Sequence, residues 1–209
     1  YMSKIVLGIT QGDTNGIGYE VIIKALSDAR VMDMCTPAIY GSSKAFGFYK
    51  KIIPETDHIN TNVISSAKEA HPKRINIINC VPDAIQIDPG QLTHDGSKAA
   101  VASLEAAVKE LKAGYIDILV TAPFNKRAVS EETFKYPGHT EYLVNEFGAK
   151  DGLMFLCSEK MRVGIATNHL SISKVSGALN IDMIVSKLRL MNQSLLRDFG
   201  IVKPKLAVL

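Results

Sequence analysis

One of the five histidines, His139, lies in the segment Pro137-Gly138-His139-Thr140-Glu141, whose pattern predicts a turn that opens a helix. A histidine near a helix N-terminus tends to be neutral, so it can ligate or hydrogen-bond. Thr140 could cap the helix or bind an anionic oxygen. A structural role stays open as well, because a histidine before a helix is often a capping or packing residue.

A second candidate, His169, closes the polar triplet Thr167-Asn168-His169 directly after the apolar run Val163 to Ala166. A histidine at the end of a buried strand suits metal binding, because the sheet fixes its direction and loops complete the site. The other histidines lie in polar stretches: His58, His71 and His94. A complete catalytic zinc set therefore cannot be identified, and we expect any partners of His169 to follow Leu209 or to come from a second subunit.

A glycine-rich turn, Gly8 to Gly18, follows the first apolar run. It lacks the dinucleotide-binding fingerprint, which would need glycine at Val21, and the Walker A motif, which would need Gly-Lys where Ile17-Gly18 stands. Two interpretations remain, a tight turn between strand and helix or a backbone cradle for a phosphate group.

The segment Thr121 to Arg127 follows the apolar run Ile116 to Val120. Open α/β sheets place ligands at the carboxyl ends of their strands, so Lys126 could neutralise an acidic substrate there or be tuned as an acid/base group. The alternative is a solvated helix start. Lys126 and Asp13 are secondary candidates to which no catalytic role is assigned.

Apolar runs that favour β-strands alternate with helical patterns, which indicates an α/β protein with a largely parallel sheet. The predicted strands are Ile5 to Ile9, Ile75 to Ile78, Ile116 to Val120, Met154 to Leu156, Val163 to Ala166 and Leu206 to Leu209. The clearest predicted helices run from about Ser97 to Lys112 and from about Asp182 to Arg197, because apolar residues recur on one face of each.

The breaker pair in Tyr136-Pro137-Gly138 predicts a domain boundary, with residues 1–136 before it and residues 137–209 after it. Residues 54 to 72 are polar and predict a surface excursion within the first domain. A buried strand such as Leu206 to Leu209 rarely closes a domain, so we expect the second domain to be incomplete and to continue beyond this sequence.

The composition argues against several classes of protein. With 46% hydrophobic and 22% charged residues the chain is typical of globular proteins, and its net charge of +3 comes from scattered lysines and arginines, which argues against a nucleic-acid partner. No apolar run approaches the roughly 20 residues that a membrane span needs. Cys35, Cys80 and Cys157 are far apart and favour reduced thiols, so we expect a cytoplasmic protein.

Taken together and in this order, the four segments resemble the 4-hydroxythreonine-4-phosphate dehydrogenase family, called PdxA. The histidine segments at 138–141 and 167–170 carry most of the resemblance, which spans nearly the whole chain. It implies the isocitrate and isopropylmalate dehydrogenase-like fold, with two α/β/α lobes and an active site in the cleft, completed by the partner in a homodimer.

The resemblance also implies roles for individual residues. His139 and Thr140 would contact a small phosphorylated amino-acid substrate, and His169 would be one of three histidines that bind a divalent metal. We expect zinc, with magnesium or cobalt as alternatives, and NAD or NADP as the hydride acceptor. The implied reaction is oxidation and decarboxylation of 4-phosphohydroxy-L-threonine in pyridoxal 5′-phosphate (vitamin B6) biosynthesis.

Some positions depart from the family pattern, and other functions stay open. Gln11, Asp13, Thr14 and Asn15 stand where the family more often has Pro, Glu, Pro and Ala, and Ser171 replaces a usual Pro. A paralogous dehydrogenase of threonate or erythronate 4-phosphate would share the histidines. A phosphate acyltransferase of the same broad fold would act without metal.

Overall fold

The computed structural model describes residues 4–54, 56, 58–82, 84–125 and 134–209. The chain divides into two compact units, Tyr1–Lys135 and Tyr136–Leu209. Among the described residues no helix is both long and apolar enough to cross a membrane. Lys126 and Arg127, which the sequence singles out, lie outside the described residues.

The first unit contains a five-stranded sheet whose spatial order is β3-β4-β2-β1-β5. The strands are β1 Ile5–Thr10, β2 Cys35–Gly41, β3 Thr61–Ile64, β4 Ile75–Asn79 and β5 Ile118–Thr121. Every neighbouring pair is parallel. The predicted α/β class is therefore confirmed for this unit.

Helices cover both faces of this sheet. They are α1 Gly18–Leu26, α2 Ala29–Met34, α3 Ser43–Ile52 and α4 His94–Lys112, with a short 3₁₀ helix at Ala67–Glu69. Ile39 of β2 packs in one core cluster with Tyr19 of α1 and Phe46 of α3. The next residue, Tyr40, packs in a second cluster with Ala107 of α4. Because successive strand residues point to opposite faces, this alternation gives three layers, helix on sheet on helix.

The first unit differs from its prediction in two strands. The polar excursion predicted for residues 54–72 contains β3, the edge strand, whose alternate residues are exposed. Backbone pairing with β4 makes this segment a strand despite its polar composition. The central strand β2 is buried at every position, but Pro37 interrupts the apolar pattern that would have predicted it.

The second unit contains an antiparallel pair of strands, β6 Met154–Cys157 and β7 Arg162–Ile165. Its helices are α5 His139–Glu146, α6 Ile172–Ala178 and α7 Ile181–Arg197. These two strands pair antiparallel because a short turn joins them, whereas a parallel pair needs a crossover of a dozen or more residues. A hydrogen bond of 2.8 Å from Ser158 N to Met161 O closes the tight turn between these strands.

The prediction of a strand from Leu206 to Leu209 is wrong for this structure. These residues form neither helix nor strand, and the side chain of Val208 is 65% exposed. A strand needs a neighbouring strand to satisfy its backbone N–H and C=O groups, and no described strand pairs with this segment.

The three cysteines are free thiols. Cys35 is buried, Cys80 is half-buried and Cys157 is exposed. Burial raises the pKa of Cys80 to about 12, so this thiol stays protonated at neutral pH.

The glycine-rich turn after β1 is buried and bonded to neighbouring loops. The polar residues of this turn are at most 6% exposed: Gln11, Asp13, Thr14 and Asn15. The Gln11 N–H donates to Tyr40 O at 3.1 Å, and the Asp13 N–H donates to Pro123 O at 3.1 Å. The Asn15 N–H donates to Asp13 Oδ1 at 2.9 Å. These groups are occupied within the protein, which favours the tight turn over the phosphate cradle.

The side chains of this turn are bonded internally as well. Gln11 Nε2 donates to Thr14 Oγ1 at 2.8 Å, and Tyr19 OH donates to Gln11 Oε1 at 2.5 Å. Tyr49 OH donates to the Thr14 carbonyl at 2.8 Å. Burial raises the pKa of Tyr19, so its hydroxyl remains a donor. Gln11 and Thr14 therefore hold the turn to α1 and α3.

We expect Gly12→Ala to lower the free energy of unfolding by more than about 2 kcal/mol, measured by urea unfolding. Gly12 has φ +70°, and an added Cβ would clash with Pro123 O and lie 3.0 Å from the Ala122 carbonyl carbon. Gly47→Ala is the matched control: Gly47 lies inside α3 with no atom within 4 Å of an added Cβ, so this change should stabilise by about 0.5–1 kcal/mol. Equal effects of the two changes would contradict the tight-turn interpretation.

Candidate functional site

The second unit has a pocket of about 430 Å³ that brings together residues distant in the sequence. Thr140 and Glu141 come from the first turn of α5, Asn168 from the loop after β7 and Lys187 from α7. The complete lining is Thr140, Glu141, Val144, Asn145, Ala149, Lys150, Asp151, Gly152, Ala166, Asn168 and Lys187. Each of the two histidine segments therefore contributes lining residues to one pocket: Thr140 and Glu141 from the first, Asn168 from the second.

The N-terminus of α5 is positioned to attract an anion. Its N-cap is Gly138, whose extended backbone and missing side chain leave the first turn without a side-chain cap. The first backbone bond of this helix runs from Tyr142 N to Gly138 O at 3.2 Å. The N-terminal end of a helix carries partial positive charge, and Thr140 adds a hydroxyl at this end.

His169 lies after β7 in a backbone conformation that is uncommon for a residue with a side chain. Its φ is 55°, in the left-handed region. The side chain is 46% exposed, and its Nε2 lies 3.6 Å from Oε1 of Glu141, whose side chain is 31% exposed. The imidazole is therefore accessible from one side and faces a carboxylate on the other.

The pocket wall also contains an ion pair between Asp151 and Lys187. Lys187 Nζ donates to Asp151 Oδ1 at 2.6 Å and to the Gly152 carbonyl at 2.6 Å. Partial burial raises the pKa of Asp151, but hydrogen bonds from Lys187 and the Gly152 N–H outweigh it and hold this pKa below its usual value. The ammonium of Lys187 is thus largely neutralised, and the pair holds α7 to the segment before β6.

His139, the other predicted site residue, is half-buried and immediately precedes Thr140. It is not among the residues that line this pocket. That its imidazole and the imidazole of His169 converge on one ligand stays a prediction. Sequence reasoning missed Lys187 and Asp151, because helical periodicity alone gave no sign that Lys187 faces inward.

The described residues can be tested for groups that could bind a metal ion. Within the described ranges no three His, Cys, Asp or Glu side chains are grouped so that they could hold a metal ion. His169 offers one accessible imidazole, and Oε2 of Glu141 is buried without a hydrogen-bond partner among the described residues. An imidazole backed by a carboxylate is the usual surrounding of a metal-binding histidine, so the residues present fit a metal ligand of this kind.

The first unit has its own pocket, of about 340 Å³, at the carboxyl ends of β1 and β5. Its lining is Asp13, Asn15, Gly16, Ile17, Gly90, Gln91, Leu92, Pro123, Phe124 and Asn125. Asp13, a secondary candidate, is 6% exposed, and its Oδ1 already accepts the Asn15 N–H. Its carboxylate therefore shapes the turn while bordering the pocket.

Comparison with known proteins agrees with the histidine segments. The family model described as "Pyridoxal phosphate biosynthetic protein PdxA" matches residues 33–209. The chain is 38% identical to a 4-hydroxythreonine-4-phosphate dehydrogenase of Bacteroides thetaiotaomicron, over 99% of this chain and 57% of that protein. A relative from Bradyrhizobium diazoefficiens is 31% identical over 99% of this chain and 60% of that protein, and carries the provisional name D-threonate 4-phosphate dehydrogenase.

A solved structure is similar as well. The crystal structure of a 4-hydroxythreonine-4-phosphate dehydrogenase from Burkholderia phymatum superimposes with a TM-score of 0.82 at 31% identity, over 97% of this chain and 61% of that one. The chain thus spans about three fifths of the length of the relatives it matches. Since the family model matches most of the sequence, the chain belongs to the PdxA family of pyridoxal phosphate biosynthetic proteins.

Proposed function

We propose that this chain forms part of a nicotinamide-dependent 4-hydroxythreonine-4-phosphate dehydrogenase. The enzyme would oxidise and decarboxylate 4-phosphohydroxy-L-threonine to 3-amino-2-oxopropyl phosphate in pyridoxal 5′-phosphate biosynthesis. One observation carries the proposal: Thr140, Asn168 and the Glu141–His169 pair come together within one unit of a PdxA family chain.

In this proposal His139 and Thr140 bind the phosphorylated substrate. The N-terminus of α5, which has no side-chain cap, favours a negatively charged group. Thr140 lines the adjacent pocket, and its hydroxyl would donate a hydrogen bond to the substrate. The carboxylate of the nearby Glu141 would repel the phosphate group of the substrate. This repulsion favours binding of the phosphate on the Thr140 side of the helix.

His169 would be a ligand of a divalent metal, for which we expect zinc, with magnesium or cobalt as alternatives. A metal bound there would supply Lewis acidity, which lowers the pKa of a substrate alcohol and polarises a ketone. NAD or NADP would supply the hydride acceptor. This chain would contribute the imidazole of His169 as a ligand, with Glu141, whose Oε1 lies 3.6 Å from Nε2, beside the ring.

The architecture of the whole enzyme is part of the proposal. The two units would correspond to the two α/β lobes of an isocitrate dehydrogenase-like fold, with the boundary near residue 136 and the second lobe continued in the rest of the enzyme. A homodimer would complete the active site with residues of the partner subunit. The enzyme would act in the cytoplasm.

A second candidate function is dehydrogenation of a four-carbon sugar-acid phosphate such as threonate or erythronate 4-phosphate. The provisional name of the Bradyrhizobium diazoefficiens relative favours it. The departures at Gln11 and Thr14 do not, because both side chains are buried in the turn and bonded to each other. We expect the full-length enzyme to show a higher kcat/KM for 4-phosphohydroxy-L-threonine; a higher value for threonate 4-phosphate would establish the second candidate instead.

We expect Thr140→Val to raise the KM for the phosphorylated substrate about tenfold, because one hydrogen bond to a charged group is lost. Thr140→Ser keeps the hydroxyl and should stay within about threefold of the wild type. Steady-state kinetics of the full-length enzyme gives both values. An equal rise of KM in the two variants would show that the hydroxyl does not contact the substrate.

We expect chelation to abolish the dehydrogenase activity and added zinc to restore it in the wild type. His169→Ala should lower kcat/KM by more than about 100-fold, because loss of a metal ligand is more severe than loss of the partner behind it. His58→Ala is the control, since His58 is exposed in the first unit. Activity that survives both chelation and His169→Ala would contradict the metal role and favour metal-independent acyl transfer.

A further inference from the structure

The carboxylate of Glu141 lies in the first turn of α5, directly after Thr140 and facing the loop that carries His169. The gap from its Oε1 to Nε2 of His169 is 3.6 Å, just beyond hydrogen-bonding distance. A small rotation of either side chain would close it. Two elements that are separated by β6 and β7 in the sequence thus present matching polar groups to each other.

The second carboxylate oxygen of Glu141 gives independent support. Oε2 is buried and has no hydrogen-bond partner among the described residues. Leaving a buried acceptor unpaired costs about 1–3 kcal/mol, so such a group generally has a partner in the working state of a protein. A carboxylate beside a histidine, with one oxygen that has no hydrogen-bond partner among the described residues, can accept a hydrogen bond from an imidazole N–H.

The backbone of His169 narrows the directions its ring can take. A left-handed conformation in a residue other than glycine persists only where its surroundings hold it in place. The loop therefore fixes the Cα–Cβ direction, and the remaining freedom is rotation about the χ1 and χ2 bonds of the side chain. A hydrogen bond to one ring nitrogen would restrict both rotations.

We infer that Glu141 is a positioning residue for His169: it accepts the imidazole Nε2–H and so directs the lone pair of Nδ1 towards a divalent cation. This role rests on the proposed metal-binding function of His169. A carboxylate behind a metal-binding histidine fixes its tautomer and raises its basicity, and the loss of such a partner typically weakens metal binding 10–100-fold. Glu141 itself donates no bond to the cation in this arrangement.

Equilibrium binding of Co²⁺ to the full-length protein, in competition with a chromophoric chelator, tests this role without measuring turnover. Glu141→Ala should weaken Co²⁺ binding about 10–100-fold. Glu141→Gln keeps the size of the side chain and an acceptor oxygen, so it should recover part of the loss. Glu159→Ala removes the same charge from the exposed turn between β6 and β7 and should leave the affinity unchanged.

A double-mutant cycle separates positioning from direct ligation. If Glu141 acts through His169, Glu141→Ala has no further effect on Co²⁺ affinity in a His169→Ala background. An undiminished effect in that background would overturn the positioning role and identify Glu141 as an independent ligand. The positioning role is also overturned if His169→Ala weakens binding and Glu141→Ala does not.

If His169 is not a metal ligand, so that the proposed function fails, the binding experiment gives a different result. In that case His169→Ala leaves Co²⁺ affinity at the wild-type value, whatever Glu141 does. Thermal unfolding of the metal-free variants serves as the folding control. If Glu141→Ala unfolds at a lower temperature than the wild type, the Glu141→Gln variant decides the outcome. Wild-type Co²⁺ affinity in Glu141→Gln, with a loss only in Glu141→Ala, would overturn the requirement for the carboxylate.

Discussion

The approach of the Glu141 carboxylate to the His169 imidazole is the interaction on which the candidate site depends. It links the first turn of α5 to the loop after β7, and their separation of 3.6 Å leaves both groups incompletely paired. Unpaired polar groups are costly inside a protein and are tolerated where a ligand completes them. The neighbouring ion pair of Asp151 and Lys187 behaves differently, because its charges satisfy each other and hold α7 in place.

The first unit illustrates the opposite case, in which polar residues serve the fold. The turn after β1 buries a glutamine, an aspartate, a threonine and an asparagine, and their hydrogen bonds reach the neighbouring loops and two tyrosines. Such a network holds the carboxyl ends of β1 and β5 beside one pocket. The side chains of Gln11 and Thr14 are therefore occupied within the protein, so they say little about the substrate.

The sequence predicts an element of this structure when a local apolar pattern forms it, and fails when distant partners form it. Strands β1 and β4 and helices α4 and α7 were predictable, because their apolar residues recur with the period of the element. Strand β2 contains a proline, and the edge strand β3 is polar, so their pairing depends on partners that a local pattern cannot show. The antiparallel pairing of β6 and β7 depends on a short turn.

For the candidate site, the sequence indicated Thr140 and His169 through their positions at a helix start and a strand end. It could not indicate that Glu141 faces His169, because that contact depends on how α5 packs in the second unit. Nor could it show that Lys187 is paired, since only the folded chain brings Asp151 beside it.

A crystal structure of the full-length protein with zinc and phosphate tests the central claim most directly. Our account predicts zinc on a ring nitrogen of His169 at about 2.0–2.1 Å, Glu141 hydrogen-bonded to the opposite nitrogen, and phosphate at the Thr140 hydroxyl. A zinc ion held elsewhere, with the imidazole of His169 turned away from both Glu141 and the pocket, would contradict it.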